Sequence, residues 1–496
     1  MYFIGYDIGS SSVKASIIEG HSGKCLATSF FPKKEMKISS PQPGWAEQNP
    51  KDWWKNLKLA TREILISSGI STSDIKAIGI SYQMHGLVLL DKNDKVLRPS
   101  IIWCDSRASK IGEDAFQKIG KEKCLSRLLN SPANFTASKL KWVKENEPNT
   151  FEKINKILLP GDYIAYKLTG EKNTTVSGLS EGMFWDFEKN EIADFLLIFY
   201  GIEKNLFPET IPTFSNQGRI CKKAAKELGL DNDTLLCYRA GDQPNNAFSL
   251  NVLNPGEIAA TAGTSGVIYG ISNEVKYDPL SRINTFAHVN HSSKQKRLGV
   301  LLCINGTGIL YSWAKNNIGN NIFDYEEMNV LADQITVGSE ELIVLPFGNG
   351  AERIIENRNI FSQIHGLNFN LHKKEHVFRA IQEGIVFSLF YGMKIMEEAG
   401  IEIKVIRAGN ANMFLSKVFR ETLANLSGAT IELFDTEGSV GAARGAGIGY
   451  GFYKNYGEAF KSFKKINVIE PVVNNQAYSD SYNKWLNVLE KELKTQ

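Results

Sequence analysis

A short pattern occurs twice in this 496-residue chain, near the start of each half. Gly9-Ser10-Ser11-Ser12-Val13 aligns with Gly263-Thr264-Ser265-Gly266-Val267. β-prone apolar runs flank both copies, at 2–6 and 13–18 around the first and at 258–262 and 267–271 around the second. Each copy reads as a hairpin closed by a turn of small residues. A chain of this length is expected to divide into more than one domain. A hairpin that opens each half predicts two like α/β domains rather than one continuous sheet.

Other elements follow from caps and periodicity. Asn49-Pro50 opens an amphipathic helix over 51–67, with Asn as N-cap and Pro in the first turn. Strands are expected at 77–81 and 87–90, around Tyr82-Gln83-Met84-His85-Gly86, and a strand end at 101–103 leads into Cys104-Asp105-Ser106-Arg107. Helices are expected over 138–146, 162–168, 375–399, 417–426 and 439–451, with short strands at 405–406 and 430–434. No low-complexity linker separates the halves, so a hinge and a cleft are expected between them. The expected division is 1–245, 246–455 and a tail at 456–496, whose helix over 478–494 is expected to pack back on the first half.

Charge and cysteines narrow the function. Lys plus Arg is 57 and Asp plus Glu is 54, a net charge of +3, which gives no reason to expect nucleic acid or an anionic membrane as partner. The six cysteines form no C-x-x-C pair and no zinc spacing. Reduced thiols in the cytoplasm are the expectation. No apolar run reaches transmembrane length, and the start lacks the basic and apolar regions of a signal peptide. A homodimer is compatible with the sequence and not fixed by it.

Three constellations carry chemistry. Asp7-Ile8-Gly9-Ser10-Ser11-Ser12 sets a strand carboxylate before a turn whose short side chains let N–H groups and hydroxyls approach phosphate. Asp7 is the candidate Mg²⁺ ligand, and the plainer reading is a Ser-stabilised hairpin turn. Gly263-Thr264-Ser265-Gly266 is a second such turn, and two facing turns would clamp a nucleoside triphosphate. Neither a Walker A motif nor an opening G-x-G-x-x-G is present. In Ala240-Gly241-Asp242-Gln243-Pro244, a Gly permits a sharp turn and a Pro suits a helix start. Asp242 is therefore expected at a helix N-terminus, where the dipole favours its ionised form. It is either a plain cap or a carboxylate that takes a proton from an alcohol.

In order and spacing, these segments resemble the FGGY family of carbohydrate kinases, and within it the xylulokinase subgroup, from residue 2 to about 451. Gly5-Tyr6-Asp7-Ile8-Gly9-Ser10-Ser11, Trp45-Ala46-Glu47-Gln48 with Trp53-Trp54, and Gln83-Met84-His85-Gly86 carry the likeness. So do 99–107, Phe135-Thr136-Ala137-Ser138-Lys139-Leu140, 158–170 and the segments of Asp242 and Gly263. The resemblance implies two ribonuclease-H-like domains of the actin, hexokinase and Hsp70 ATPase superfamily around a central cleft. It implies phosphorylation of D-xylulose at its 5-hydroxyl by ATP with Mg²⁺. It further implies Asp242 as general base, Asp7 as a second catalytic carboxylate near the metal, and Gln83, Met84, His85 and Asp105 on the sugar side. Ser10, Ser11, Ser12, Gly263, Thr264 and Ser265 would hold phosphates.

Asp105 and Arg107 otherwise read as a surface ion pair. The nucleotide base is expected on the second half, at Gly409 and Asn410 and on the small-residue helix face Gly441-Ala442-Ala443-Arg444-Gly445-Ala446, a face that would equally suit tight packing on a neighbouring element. The chain departs from the family in having Ala408-Gly409-Asn410-Ala411 where a G-G-G-A/S run is usual, and Gln243-Pro244 after the base. Alternatives are a kinase for ribulose, gluconate, glycerol or a deoxy sugar, and a non-catalytic actin-like ATP-binding module. The Gln-Met-His-Gly turn argues against a glycerol kinase, whose matching turn carries an Arg-Glu pair.

Overall fold

The computed structural model describes residues 1–350, 352–473 and 476–495. The first half is built on a five-stranded sheet of β1 (Tyr2–Ile8), β2 (Val13–Glu19), β3 (Cys25–Phe31), β4 (Ile75–Tyr82) and β5 (Leu235–Gly241), in the order β5-β4-β1-β2-β3. β1, β2 and β3 run antiparallel in succession, and β4 and β5 run parallel to β1.

The second half carries a seven-stranded sheet. Its strands are β6 (Glu257–Ala262), β7 (Gly266–Ser272), β8 (Asn284–Ala287), β9 (Leu298–Ile304), β10 (Val405–Gly409), β11 (Thr430–Phe434) and β12 (Lys465–Ile469), in the order β8-β9-β7-β6-β10-β11-β12. Without the two outer strands, β9-β7-β6-β10-β11 repeats the order and strand directions of the first sheet. The repeated sequence pattern thus marks the first hairpin of each sheet.

β1 is apolar almost throughout because both of its faces are covered. On one face lies α1 (Pro50–Ser68), which buries Trp53, Leu57, Ala60 and Ile64. It starts where the Asn49 side chain accepts the Lys51 N–H and stops at Gly69, whose φ of 64° suits a residue without Cβ. The active-site elements of the first half are α2 (Thr136–Asn146), α3 (Pro160–Thr169), α4 (Val176–Glu181) and α5 (Asp242–Ser249). The second half supplies α6 (Gly308–Asn317), α7 (Lys374–Glu398), α8 (Lys417–Ser427), α9 (Gly438–Gly449) and α10 (Gln476–Thr495).

The other face of the first sheet is covered by α9, which follows the second sheet's β11. Its glycines and alanines permit main-chain contact. A Cβ on Gly5 would lie 1.8 Å from the Ser439 carbonyl oxygen, and one on Gly79 would lie 2.0 Å from that of Ala442. The small-residue face of α9 therefore joins the two halves and does not receive adenine. α5 crosses α9, with Asn245 Nδ2 donating to the Gly438 carbonyl at 2.9 Å. Each of these helices follows the last parallel strand of its own sheet.

The tail corrects an expectation. β12 extends the second sheet beside β11, and α10 packs on the second half rather than the first. Trp485 and Leu489 are fully buried in the core that α7 builds, and Trp485 Nε1 donates to the Val344 carbonyl at 2.9 Å. The apolar stripe of Tyr482, Trp485 and Leu489 matches Phe387 and Phe390 of α7. The start of the tail touches the first half, through Phe460 beside Tyr238 and Phe248 and through Tyr456 against Phe214. Among the described residues, no helix is long and apolar enough to cross a membrane.

Candidate active site

The parallel strands β1, β4 and β5 end side by side. Asp7 is opposite Ser81, Ser81 is opposite Ala240, and Asp242 opens α5 two residues on. Ligands of parallel α/β sheets bind at such carboxyl ends. Ser81 Oγ donates to Asp7 Oδ1 at 2.9 Å. Asp7 Oδ2 lies 2.7 Å from where a Cβ on Gly438 would start, so Asp7 is seated at the junction of the halves.

Burial raises the Asp7 carboxyl above its usual range, while the Ser81 hydroxyl and Lys14 oppose that shift and Glu437 adds to it. Asp242 is hemmed by protein and open on one side to the cleft. Burial, then the charge of Asp7, pushes it up to about 7, against the pull of its own and the Gln243 N–H. A carboxyl poised there is ionised in part at neutral pH, as a general base requires.

The turn at Gln83 to Gly86 is hydrogen-bonded from several sides. Gln83, buried, donates from Nε2 to Gln48 Oε1 at 3.2 Å and braces the turn. Met84 packs behind the strand end that leads into Asp242, with Cγ 2.6 Å from where a Cβ on Gly241 would start. His85 adopts φ 61°, and its Nδ1 lies 2.9 Å from the Glu181 carbonyl oxygen. Burial, then the Lys139 charge, pushes the imidazole down to about 3, so it stays neutral.

Lys139 is fully buried and donates to the carbonyls of His85 at 3.0 Å and Ile102 at 2.8 Å. Burial lowers its ammonium to about 7. Its part in holding the turn was not read from the sequence, although it lies in the Phe135-to-Leu140 segment. Glu181, buried next to the Tyr82 hydroxyl, lies beside Gly241 and was missed altogether.

Asp105 does not face the cleft. It is fully buried, accepts the Ala46 N–H at 2.6 Å and pairs with Arg107 at 2.7 Å. Arg107 also meets Glu47 at 2.8 Å and lies 3.8 Å over the Trp45 ring. The pair is neither a sugar ligand nor a surface ion pair. It is a buried brace that fixes the loop carrying Trp103, whose half-exposed indole donates to Ser10 Oγ at 3.3 Å.

Both small-residue turns reach the surface of the molecule. Behind the first, Gln48 Nε2 donates to the Ser10 carbonyl at 2.6 Å and the Met36 N–H to that of Ser11 at 2.8 Å. Ser11 is exposed, and Ser10 and Ser12 are partly so. Behind the second, the N–H groups of Gly308 and Ile309 donate to the carbonyls of Gly263 and Thr264 at 2.9 and 3.1 Å. Ser265 instead lies toward Cys303.

A pocket of about 830 Å³ begins at Gly263 and Thr264 and runs between Ile309, Tyr325, Asn412 and Lys417. That volume suits a nucleotide-sized ligand. Gly409 and Asn410 do not line it. Asn410 is tied by its N–H to the Phe434 carbonyl at 2.9 Å, and Asn412, two residues on, faces Gly263.

Among the described residues, no three His, Cys, Asp or Glu side chains gather to hold a metal alone. That fits Mg²⁺, which takes one or two carboxylates and fills its shell with phosphate oxygens and water. Asp7 would be the carboxylate offered to it.

Two like domains, a carboxylate near the C-terminal end of the first strand and a small-residue turn lining a nucleotide-sized pocket are the features of an ATP-dependent sugar kinase with the actin and hexokinase fold. Residues 2–249 match the N-terminal domain of the FGGY family of carbohydrate kinases and residues 258–450 the C-terminal domain. The chain belongs to the FGGY family. It is 29% identical over 472 residues to the xylulose kinase of Bacillus subtilis (strain 168), covering 93% of this chain and 91% of that protein. The crystal structure of xylulose kinase from Rhodospirillum rubrum superposes with a TM-score of 0.90 at 24% identity, over 99% of both chains. That of gluconate kinase from Lactobacillus acidophilus gives 0.89 at 23%, over 99% of this chain and 98% of the other. The likeness to these two structures fixes the fold and leaves the sugar open.

Proposed function

We propose that the chain transfers the γ-phosphoryl group of ATP to the 5-hydroxyl of D-xylulose, with Asp242 as general base. The hydroxyl oxygen bonds to the γ-phosphorus, the bond to the β,γ-bridging oxygen breaks, and the hydroxyl proton passes to Asp242. The products are D-xylulose 5-phosphate and ADP. The observation that carries this reading is the Asp242 carboxyl, pushed up to about 7 beside Asp7 where both halves meet.

Phosphoryl transfer asks chiefly for positioning and charge stabilisation. The turns at Ser10 to Ser12 and Gly263 to Thr264 hold the phosphates, and Met84 and His85 orient the sugar. Mg²⁺ at Asp7 neutralises phosphate charge when bound. The xylulose kinase relatives support D-xylulose as acceptor, as does a neutral His85, suited to an uncharged polyol. A cytoplasmic location accords with this reading. The test is Asp242→Asn, which keeps nucleotide binding and loses turnover. A variant with near-normal turnover removes Asp242 as the base.

A further inference from the structure

Phe286 belongs to β8, an edge strand of the second sheet, yet its ring is buried in a cluster with Met84, Phe135 and Leu179 of the first half. β8 pairs with β9 on one side only. Side chains of the first half satisfy its other side as a further strand would. Asn130 donates to the Thr285 carbonyl at 2.6 Å and accepts the Thr285 N–H at 3.0 Å. Ser177 donates to the Ala287 carbonyl at 3.0 Å, and Ser180 accepts the Ala287 N–H at 2.8 Å.

Between these anchored residues, Phe286 projects to the opposite face of the strand. Its ring centroid lies 5.6 Å from that of His85 and 6.0 Å from that of Phe135, while His85 and Phe135 meet edge-on at 4.7 Å. The imidazole thus forms a three-ring cluster with one ring from each half, and Phe286 bears on it directly. A carbonyl oxygen only accepts, so the 2.9 Å contact to Glu181 places the proton on His85 Nδ1. In the neutral ring, Nε2 is then a bare acceptor. The left-handed backbone at His85, φ 61°, is of the kind that persists only where the surroundings fix it.

We propose that Phe286 is a positioning residue for the sugar site, supplied by the nucleotide half, which clamps His85 so that its Nε2 accepts a hydrogen bond from a sugar hydroxyl. This rests on the sugar role assigned to His85 above. It follows that the sugar wall is complete only while β8 stays docked on the first half, and that the group meeting Nε2 must be a donor. A sugar with fluorine in place of that hydroxyl cannot supply one.

The test compares the wild type with Phe286→Ala and Phe286→Leu. Imidazole ¹⁵N spectra of His85 should show one Nδ1–H tautomer in the wild type, unchanged between about pH 5.5 and 9, and a tautomer mixture or a titration near 6.5 in Phe286→Ala. The Michaelis constant for D-xylulose should rise about tenfold in Phe286→Ala, that for ATP should change by less than about twofold, and Leu should recover most of the loss. One fluoro-sugar should lose much more with the wild type than with Phe286→Ala. An unchanged tautomer with equal effects on both substrates would overturn the proposal, because lost folding energy alone explains that outcome. If the wild type phosphorylates no ketose, the substrate assignment fails, while the spectra still decide the clamp.

Discussion

Asp242 owes its properties to place. Gly241 lets β5 turn directly into α5, and the first residue of that helix faces a cleft that already holds Asp7. General base catalysis typically supplies 10²–10⁴ in rate, so Asp242→Asn should lose at least about a hundredfold in kcat with nucleotide affinity unchanged, as titration calorimetry would show. With the carboxyl pushed up to about 7, kcat/KM should fall as pH drops through neutrality, because protonation removes the base.

Stability follows the opposite sign. Above the folded value, the native state carries a buried carboxylate that the unfolded chain solvates freely, and this cost vanishes as pH falls to the ordinary carboxyl range. Asp242→Asn should therefore raise Tm at pH 8 by a few °C and leave it unchanged near pH 4, as a scan at both pH values would reveal. His85→Ala should raise the Michaelis constant for the sugar and spare that for ATP, since His85 stands in the first half's wall. A matching ATP defect would argue that His85 holds the whole cleft together.

At the scale of elements, contact between the halves depends on glycines. In Gly5→Ala, the new carbon would meet the Ser439 carbonyl oxygen at 1.8 Å, a main-chain atom that cannot turn aside. Overpacking of this kind costs 1–3 kcal/mol, so the variant should lose at least about 2 kcal/mol in denaturant unfolding. Gly409→Ala is the control. Nothing lies within 4 Å of its added carbon, and surface-like changes stay within about 0.5 kcal/mol. Equal losses in both variants would mean that the α9 interface is not tightly packed.

The hairpins at 9–12 and 263–266 were legible because a tight turn between apolar strands has its own residue chemistry. The positions of Asp7, at the end of a strand, and of Asp242, at the helix start that follows one, were legible from the small-residue turns beside them. The tail was misjudged because the apolar stripe of Tyr482, Trp485 and Leu489 says that a helix docks and not where. The burial of the Asp105–Arg107 pair was not legible because Ala46 and Glu47, which complete its setting, reach it only in three dimensions. Phe286 had no local signal at all, since its partners belong to the other half.

Over the whole molecule, the two turns proposed to hold the phosphates belong to different halves, so on that proposal the site is complete only when the halves come together. Sugar and nucleotide should each strengthen the binding of the other, by the same factor. In small-angle scattering, the radius of gyration should fall when D-xylulose and a non-hydrolysable ATP analogue are both present. An unchanged radius with independent affinities would mean a rigid cleft. Water exclusion on closure predicts slow ATP hydrolysis when sugar is absent.

The central claim is that this cleft moves phosphate from ATP to a neutral ketopentose. ADP release at saturating Mg-ATP, measured across D-xylulose, D-ribulose, D-gluconate and glycerol, tests it most directly. D-xylulose should give the highest kcat/KM, with gluconate and glycerol far behind and little ADP formed without a sugar. Comparable efficiency on gluconate or glycerol would contradict the assignment, and ADP release indifferent to every sugar would contradict the account of the cleft.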